Sequence, residues 1–71
     1  MGRIKVSSSN IASIGYEPNS RVLEIEFING AVYQYSDVPK LVYEGLMAAS
    51  SHGSFLDKNI KKAGYLYRRI G

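Results

Sequence analysis

The run from Arg21 to Asp37, RVLEIEFINGAVYQYSD, restricts the fold of this chain more than any other stretch. Leu23, Ile25 and Phe27 alternate with Glu24 and Glu26, the two-residue period of a strand with one buried and one wet face. Tyr33 and Tyr35 flank Gln34 and continue that period after Asn29-Gly30. An antiparallel hairpin turning at Asn-Gly is the reading that uses all of these residues.

The turn decides where the tyrosines point, because a one-residue change of register moves every side chain to the other face. A two-residue loop places Phe27 opposite Val32, and both tyrosines then share the face of the glutamates. A three-residue loop, Ile28-Asn29-Gly30 with Gly30 as a left-handed bulge residue, places Phe27 opposite Ala31, Ile25 opposite Tyr33 and Leu23 opposite Tyr35. The second register is favoured because it gathers all five large side chains on one face and leaves Glu24, Glu26, Gln34 and Ser36 on the other. In that register the rings of Tyr33 and Tyr35 are mainly core.

Seventy-one residues make a single domain, 1–71, near the lower size at which one hydrophobic core suffices. There is no cysteine, so disulfides, thiolate nucleophiles and cysteine metal sites are excluded. No apolar run approaches the ~20 residues of a membrane span, and a soluble cytoplasmic protein without a membrane partner is expected. Charge is uneven along the chain. Up to Val38, Arg3, Lys5 and Arg21 against Glu17, Glu24, Glu26 and Asp37 leave −1; beyond it, six cations against Glu44 and Asp57 leave +4, which completes the net +3. After Asp57 there is no acid, and such an end favours anionic partners, nucleic acid first.

Residues 1–10 read either as a mobile lead-in or, through Ser7-Ser8-Ser9-Asn10, as a loop between two extended pieces. Ala12, Ile14 and Tyr16 against Ser13 and Gly15 predict a first strand, and Glu17-Pro18-Asn19-Ser20 is turn chemistry. Asp37 or Ser36 is an N-cap candidate with Pro39 in the first helical turn. Val38, Leu41, Val42, Gly45, Leu46 and Ala49 form one helical stripe, and Gly45 within it implies close approach of a backbone or a bulky ring. Ser54, with Asp57 three residues on, predicts the start of a second helix that buries Leu56, Ile60 and Ala63, turns Lys58, Lys61 and Lys62 outward, and stops at Gly64. Tyr65 to Gly71 fits a strand added to the sheet or a helical turn. The expected fold is α+β, a three-stranded antiparallel β-meander packed against one longer and one shorter C-terminal α-helix.

Catalytic chemistry has little to build on. His52 is the lone histidine, and beside Ser51 it lacks a third orienting group. No catalytic residue, metal or cofactor is assigned. Gly53 and Ser54 make a candidate anion-binding turn, since a Gly-containing helix start presents free N–H groups and the positive dipole end. The stronger pattern is Lys58, Lys61, Lys62, Tyr65, Tyr67, Arg68 and Arg69, where cations for phosphates interleave with rings for bases. A solvated helix face with a tyrosine-anchored tail produces the same pattern.

Ile14-Gly15-Tyr16, then Leu23, Ile25 and Phe27 with Gly30, Tyr33-Gln34-Tyr35, Val38-Pro39, and Ala49, Ser51, Gly53, Phe55 and Ile60 resemble the KTSC domain. This small bacterial module is named after the C-terminus of some lysyl-tRNA synthetases. Its hallmark Tyr-x-Tyr corresponds to Tyr33 and Tyr35, and the likeness runs from about Ser8 to Arg69. The resemblance implies no established activity, and it implies RNA binding only through the association with a tRNA synthetase. A non-catalytic RNA-binding module is therefore expected. The alternative is a module that binds a protein partner or itself, because a chain this small gains stability from association and carries six tyrosines.

Overall fold

The computed structural model describes residues 1–71 as one α+β unit, and its centre is the expected hairpin. Strand β3 (Val22–Phe27) pairs antiparallel with β4 (Val32–Tyr35), Leu23 opposite Tyr35 and Ile25 opposite Tyr33. Phe27 N–H donates to Ala31 O, Gly30 N–H donates to Phe27 O, and Gly30 has φ of 94°. The three-residue loop with a left-handed glycine is thus the turn adopted. Asn29 supports it by accepting from Ala31 N through its side-chain oxygen.

The sheet has five strands in sequential order rather than the expected three. Strand β2 (Ile11–Glu17) lies beside β3, β1 (Arg3–Lys5) lies outside β2, and β5 (Tyr67–Arg69) lies outside β4. Both added strands are three residues long, too short for a periodic signal, and pairing with an existing strand is what orders them. Ser7 to Asn10 is accordingly a connection between two extended pieces. A bulge between Ile11 and Ser13 also changes the expected facing of β2. Ala12 is the extra residue there, and Ile11 takes the fully buried position.

Helix α1 (Lys40–Ala48) begins after Pro39, not at Ser36 or Asp37. Asp37 instead has φ of 60° and pairs with Arg21, itself at 59°, so two left-handed residues meet where β4 leaves the sheet. Leu41 consequently points to solvent, and Val42, Tyr43, Leu46 and Met47 make the inner face. Helix α2 (His52–Asn59) begins earlier than the Ser54 cap expected, because Ser51 is the N-cap and accepts from Ser54 N at 3.3 Å. Ile60 then leaves helical geometry at φ −122°, and Lys61–Ala63 form a 3₁₀ turn closed by left-handed Gly64. The helices are therefore nine and eight residues long, nearly equal rather than one longer and one shorter.

Leu46, Leu56 and Ile60 pack with Ile11, Ile14, Leu23, Ile25, Tyr35 and Val38 in one buried cluster, while Ala63 stays exposed. On the other face of the sheet, Gly15 lets β1 pass closely: a Cβ there would stand 2.7 Å from Gly2 O and 2.9 Å from Arg3 Cγ. Arg3 reaches Glu24, which also accepts from Gln34, and Ser13 donates to Glu26. Glu24 is buried by this cover rather than solvated.

Gly45 faces the ring of Phe55, whose Cζ lies 2.8 Å from where a Cβ would stand. Replacing glycine by alanine inside a helix ordinarily stabilises by about 1 kcal/mol. Gly45→Ala is expected to show none of that gain in denaturant melts, and to recover it when combined with Phe55→Leu; an additive double-mutant cycle would contradict the contact. Arg3→Ala is expected to cost roughly 1–3 kcal/mol by leaving Glu24 without its charged partner, measured in the same melts.

Candidate nucleic-acid interface

Alternation along β5 separates two neighbouring arginines. Arg69 stands opposite Tyr33 and Tyr67 opposite Tyr35, so these four share the helix-bearing face, whereas Arg68 stands opposite Gln34 on the other face. The helices cover one end of their face. The end carrying β4 and β5 is left as an open cleft of about 450 Å³.

Tyr33 and Tyr35 line this cleft together with Tyr67 and Phe27. Tyr35 is 3% exposed and belongs to the core, Tyr33 is half-buried, and Tyr67 is 64% exposed. The expectation that both tyrosines are core therefore holds for Tyr35 and only in part for Tyr33. The centroids of Tyr33 and Tyr67 lie 6.0 Å apart at 45°, those of Tyr35 and Tyr67 5.6 Å apart at 35°, and Phe27 meets Tyr33 edge-on at 5.9 Å. Tyr16, stacked on Tyr43 at 4.7 Å, is the tyrosine whose hydroxyl donates within the chain, to Val38 O.

Two cations complete the cleft. Lys61 is carried round by the 3₁₀ turn until its Nζ lies 5.2 Å from the Phe27 ring centroid, within cation–π range. Arg69 donates from Nε to Gly71 O, an anchor that leaves its terminal nitrogens free. Neither pairs with an Asp or Glu side chain, and no acidic side chain lines the cleft. Asn29 stands at the rim.

The basic residues read together in the sequence are thus divided. Lys61, Tyr67 and Arg69 meet in the cleft; Lys62 pairs with Asp57 at 3.6 Å, Lys58 lies in the last turn of α2 outside the cleft, and Tyr65 packs against the core. Gly53 and Ser54 are not part of it either. Ser54 N–H is taken by Ser51, and a Cβ on Gly53 would stand 2.4 Å from Asn10 Oδ1, so the Asn10 side chain lies against the turn. His52 is half-buried rather than solvated, with Nδ1 2.8 Å from Leu46 O, which ties the start of α2 to the end of α1. Phe27 and Asn29 also line the cleft; the signal for Phe27 was its place on the tyrosine face, and for Asn29 its place in the turn that joins the two strands.

The KTSC domain profile matches residues 7–65. The chain belongs to the KTSC domain family. The crystal structure of a KTSC domain protein from Yersinia pestis is similar with a TM-score of 0.90 and 48% identity, over 99% of this chain and 97% of that one. An uncharacterized protein of Stutzerimonas stutzeri is 40% identical over 70 residues, 99% of either chain. A lysine–tRNA ligase of Nostoc sp. is 40% identical over 58 residues, 82% of this chain but 10% of the ligase. In this KTSC domain β5, with Tyr67 and Arg69, lies beyond the matched segment, and the wall of the cleft that it supplies comes from outside it.

Burial raises the pKa of Tyr35 above the ordinary 10.0, and the neighbouring Tyr67 and Tyr33 push it further in the same direction. A raised folded-state value means that the neutral phenol stabilises the fold below the ordinary tyrosine range, and that this contribution disappears as pH rises through the folded value. Stability between about pH 9 and about pH 11 is expected to fall more steeply in the wild type than in Tyr35→Phe; parallel slopes in denaturant melts would contradict it.

Proposed function

We propose that this KTSC domain is a non-catalytic RNA-binding module whose contact is the cleft between β4, β5 and the 3₁₀ turn. The observation that carries the reading is the meeting of exposed Tyr67 and half-buried Tyr33 with Lys61 and Arg69, two cations with no Asp or Glu partner. Rings for stacking beside cations for phosphates are the combination by which single strands are held. The Nostoc lysine–tRNA ligase, which shares the domain, gives the reading a setting in which RNA is at hand. The non-catalytic part is supported by the engagement of His52 with Leu46 O, which ties it to the helix junction.

No helix is long and apolar enough to cross a membrane, and a chain without cysteine suits a reducing cytoplasm; we place the protein there. A second reading, association with a protein partner or another copy, is favoured by the edge strand β5 and the residues on either side of it, Leu66 at 80% and Ile70 at 46% exposure. A stable dimer indifferent to RNA in light scattering would select it.

The deciding experiment for RNA is a heteronuclear NMR titration with a structured and an unstructured RNA at low and moderate salt. Shifts are expected to gather at Tyr33, Lys61, Tyr67 and Arg69 and to fade as salt rises, because phosphate contacts release counterions. Arg69→Gln should weaken binding and flatten the salt slope by about 0.7, Tyr67→Ala should cost roughly 1–3 kcal/mol, and Arg68→Gln on the opposite face should change neither. Absence of shifts at low salt would overturn the reading.

A further inference from the structure

The geometry points to a ligand of narrower description: the cleft takes one unpaired nucleotide, its base against the rings of Tyr33 and Tyr67 and its phosphate on Lys61 and Arg69. The inference rests on the proposed RNA contact for where the nucleotide comes from, but its chemistry follows from the cleft.

Size sets the first limit. About 450 Å³ lies towards the lower end of the roughly 300–1,000 Å³ typical of small-ligand sites. That suits one base with its phosphate, not a duplex. In a duplex the base faces are stacked on their neighbours and unavailable to a tyrosine, so only an unpaired base can use these rings.

The arrangement of rings sets the second. Tyr67 is tilted by 45° to Tyr33 and 35° to Tyr35 instead of stacking on either, and its exposed ring is held on an edge strand. Tyr33 already receives Phe27 edge-on, and Lys61 lies over Phe27. Rings therefore remain open to an incoming planar group, and a cation is held beside them.

Charge sets the third. The polar groups of the cleft are the Lys61 ammonium, the Arg69 guanidinium, the Asn29 side chain and tyrosine hydroxyls, with no carboxylate among them. Asn29 uses its oxygen on Ala31 N, which leaves its NH₂ as a donor. A donor-rich site with two cations and no acidic side chain calls for an anion rich in acceptors. An apolar ligand would desolvate the Lys61 ammonium without a counter-charge, and inorganic phosphate alone would leave the rings uncovered. A nucleotide satisfies both halves at once.

The test is a titration of the full ¹⁵N-labelled chain with adenosine monophosphate, adenosine, inorganic phosphate and a short unpaired oligoadenylate. Adenosine monophosphate is expected to shift Tyr33, Lys61, Tyr67 and Arg69, and to bind about tenfold more tightly than adenosine or phosphate alone. Lys61→Gln, a substitution at an exposed residue outside the core, should weaken it at least about threefold, whereas Lys62→Gln and Arg68→Gln should not. Equal affinity for inorganic phosphate, shifts confined to other residues, or no shift with the mononucleotide overturns the inference. Shifts with oligoadenylate but none with the mononucleotide would leave RNA binding standing and this inference overturned. Binding of the mononucleotide alone would support the cleft as a free-nucleotide site and remove the RNA reading.

Discussion

The left-handed turn at Gly30 fixes how β3 meets β4, and the remaining architecture is built on that register. With φ of 94° the position is strained for any residue bearing a Cβ, and Asn29 closes the loop by accepting from Ala31 N. Leu23 is thereby set against Tyr35 and Ile25 against Tyr33. A turn shorter by one residue would turn both tyrosines onto the face of Glu24 and Glu26. The buried cluster and the cleft depend on the same residue count.

The two faces of the sheet are closed by different physics. On one, Leu46, Leu56 and Ile60 exclude water from the aliphatic centre. On the other, β1 pairs beside Gly15 and the Arg3 side chain reaches across to Glu24, so a carboxylate is buried with a cation and the amide of Gln34 as its partners. Each closure needs a glycine where two elements approach, Gly45 beneath Phe55 and Gly15 beneath Arg3. The helices cover one end of their face, and the tyrosines beyond that end are accessible because the chain returns through a 3₁₀ turn and a short edge strand.

That return also explains why a cluster of basic residues in sequence is not a cluster in space. Strand alternation sends Arg68 and Arg69 to opposite faces, and the departure of Ile60 from helical geometry swings Lys61 towards Phe27 while Lys62 pairs with Asp57. Among seven cationic and aromatic residues of this segment, Lys61, Tyr67 and Arg69 line the cleft. They meet Tyr33 and Tyr35, more than twenty residues earlier in the chain.

The sequence by itself determined the hairpin, the α+β class and a close approach at Gly45, and it favoured the three-residue turn, because each rests on local periodicity or on the backbone freedom of a single residue; the end of α2 at Asn59, short of the expected stop at Gly64, was not legible. It also carried the likeness to the KTSC domain through an ordered set of such positions. The edge strands, the Ala12 bulge, the earlier cap at Ser51 and the burial of Glu24 were decided by tertiary structure. Three-residue strands have no period to read, a bulge shows only against its partner strand, and a carboxylate is buried only when a distant cation arrives. The cleft belongs to this second group: its residues come from β3, the turn after it, β4, the 3₁₀ turn and β5, and only the folded sheet brings their rings and charges together.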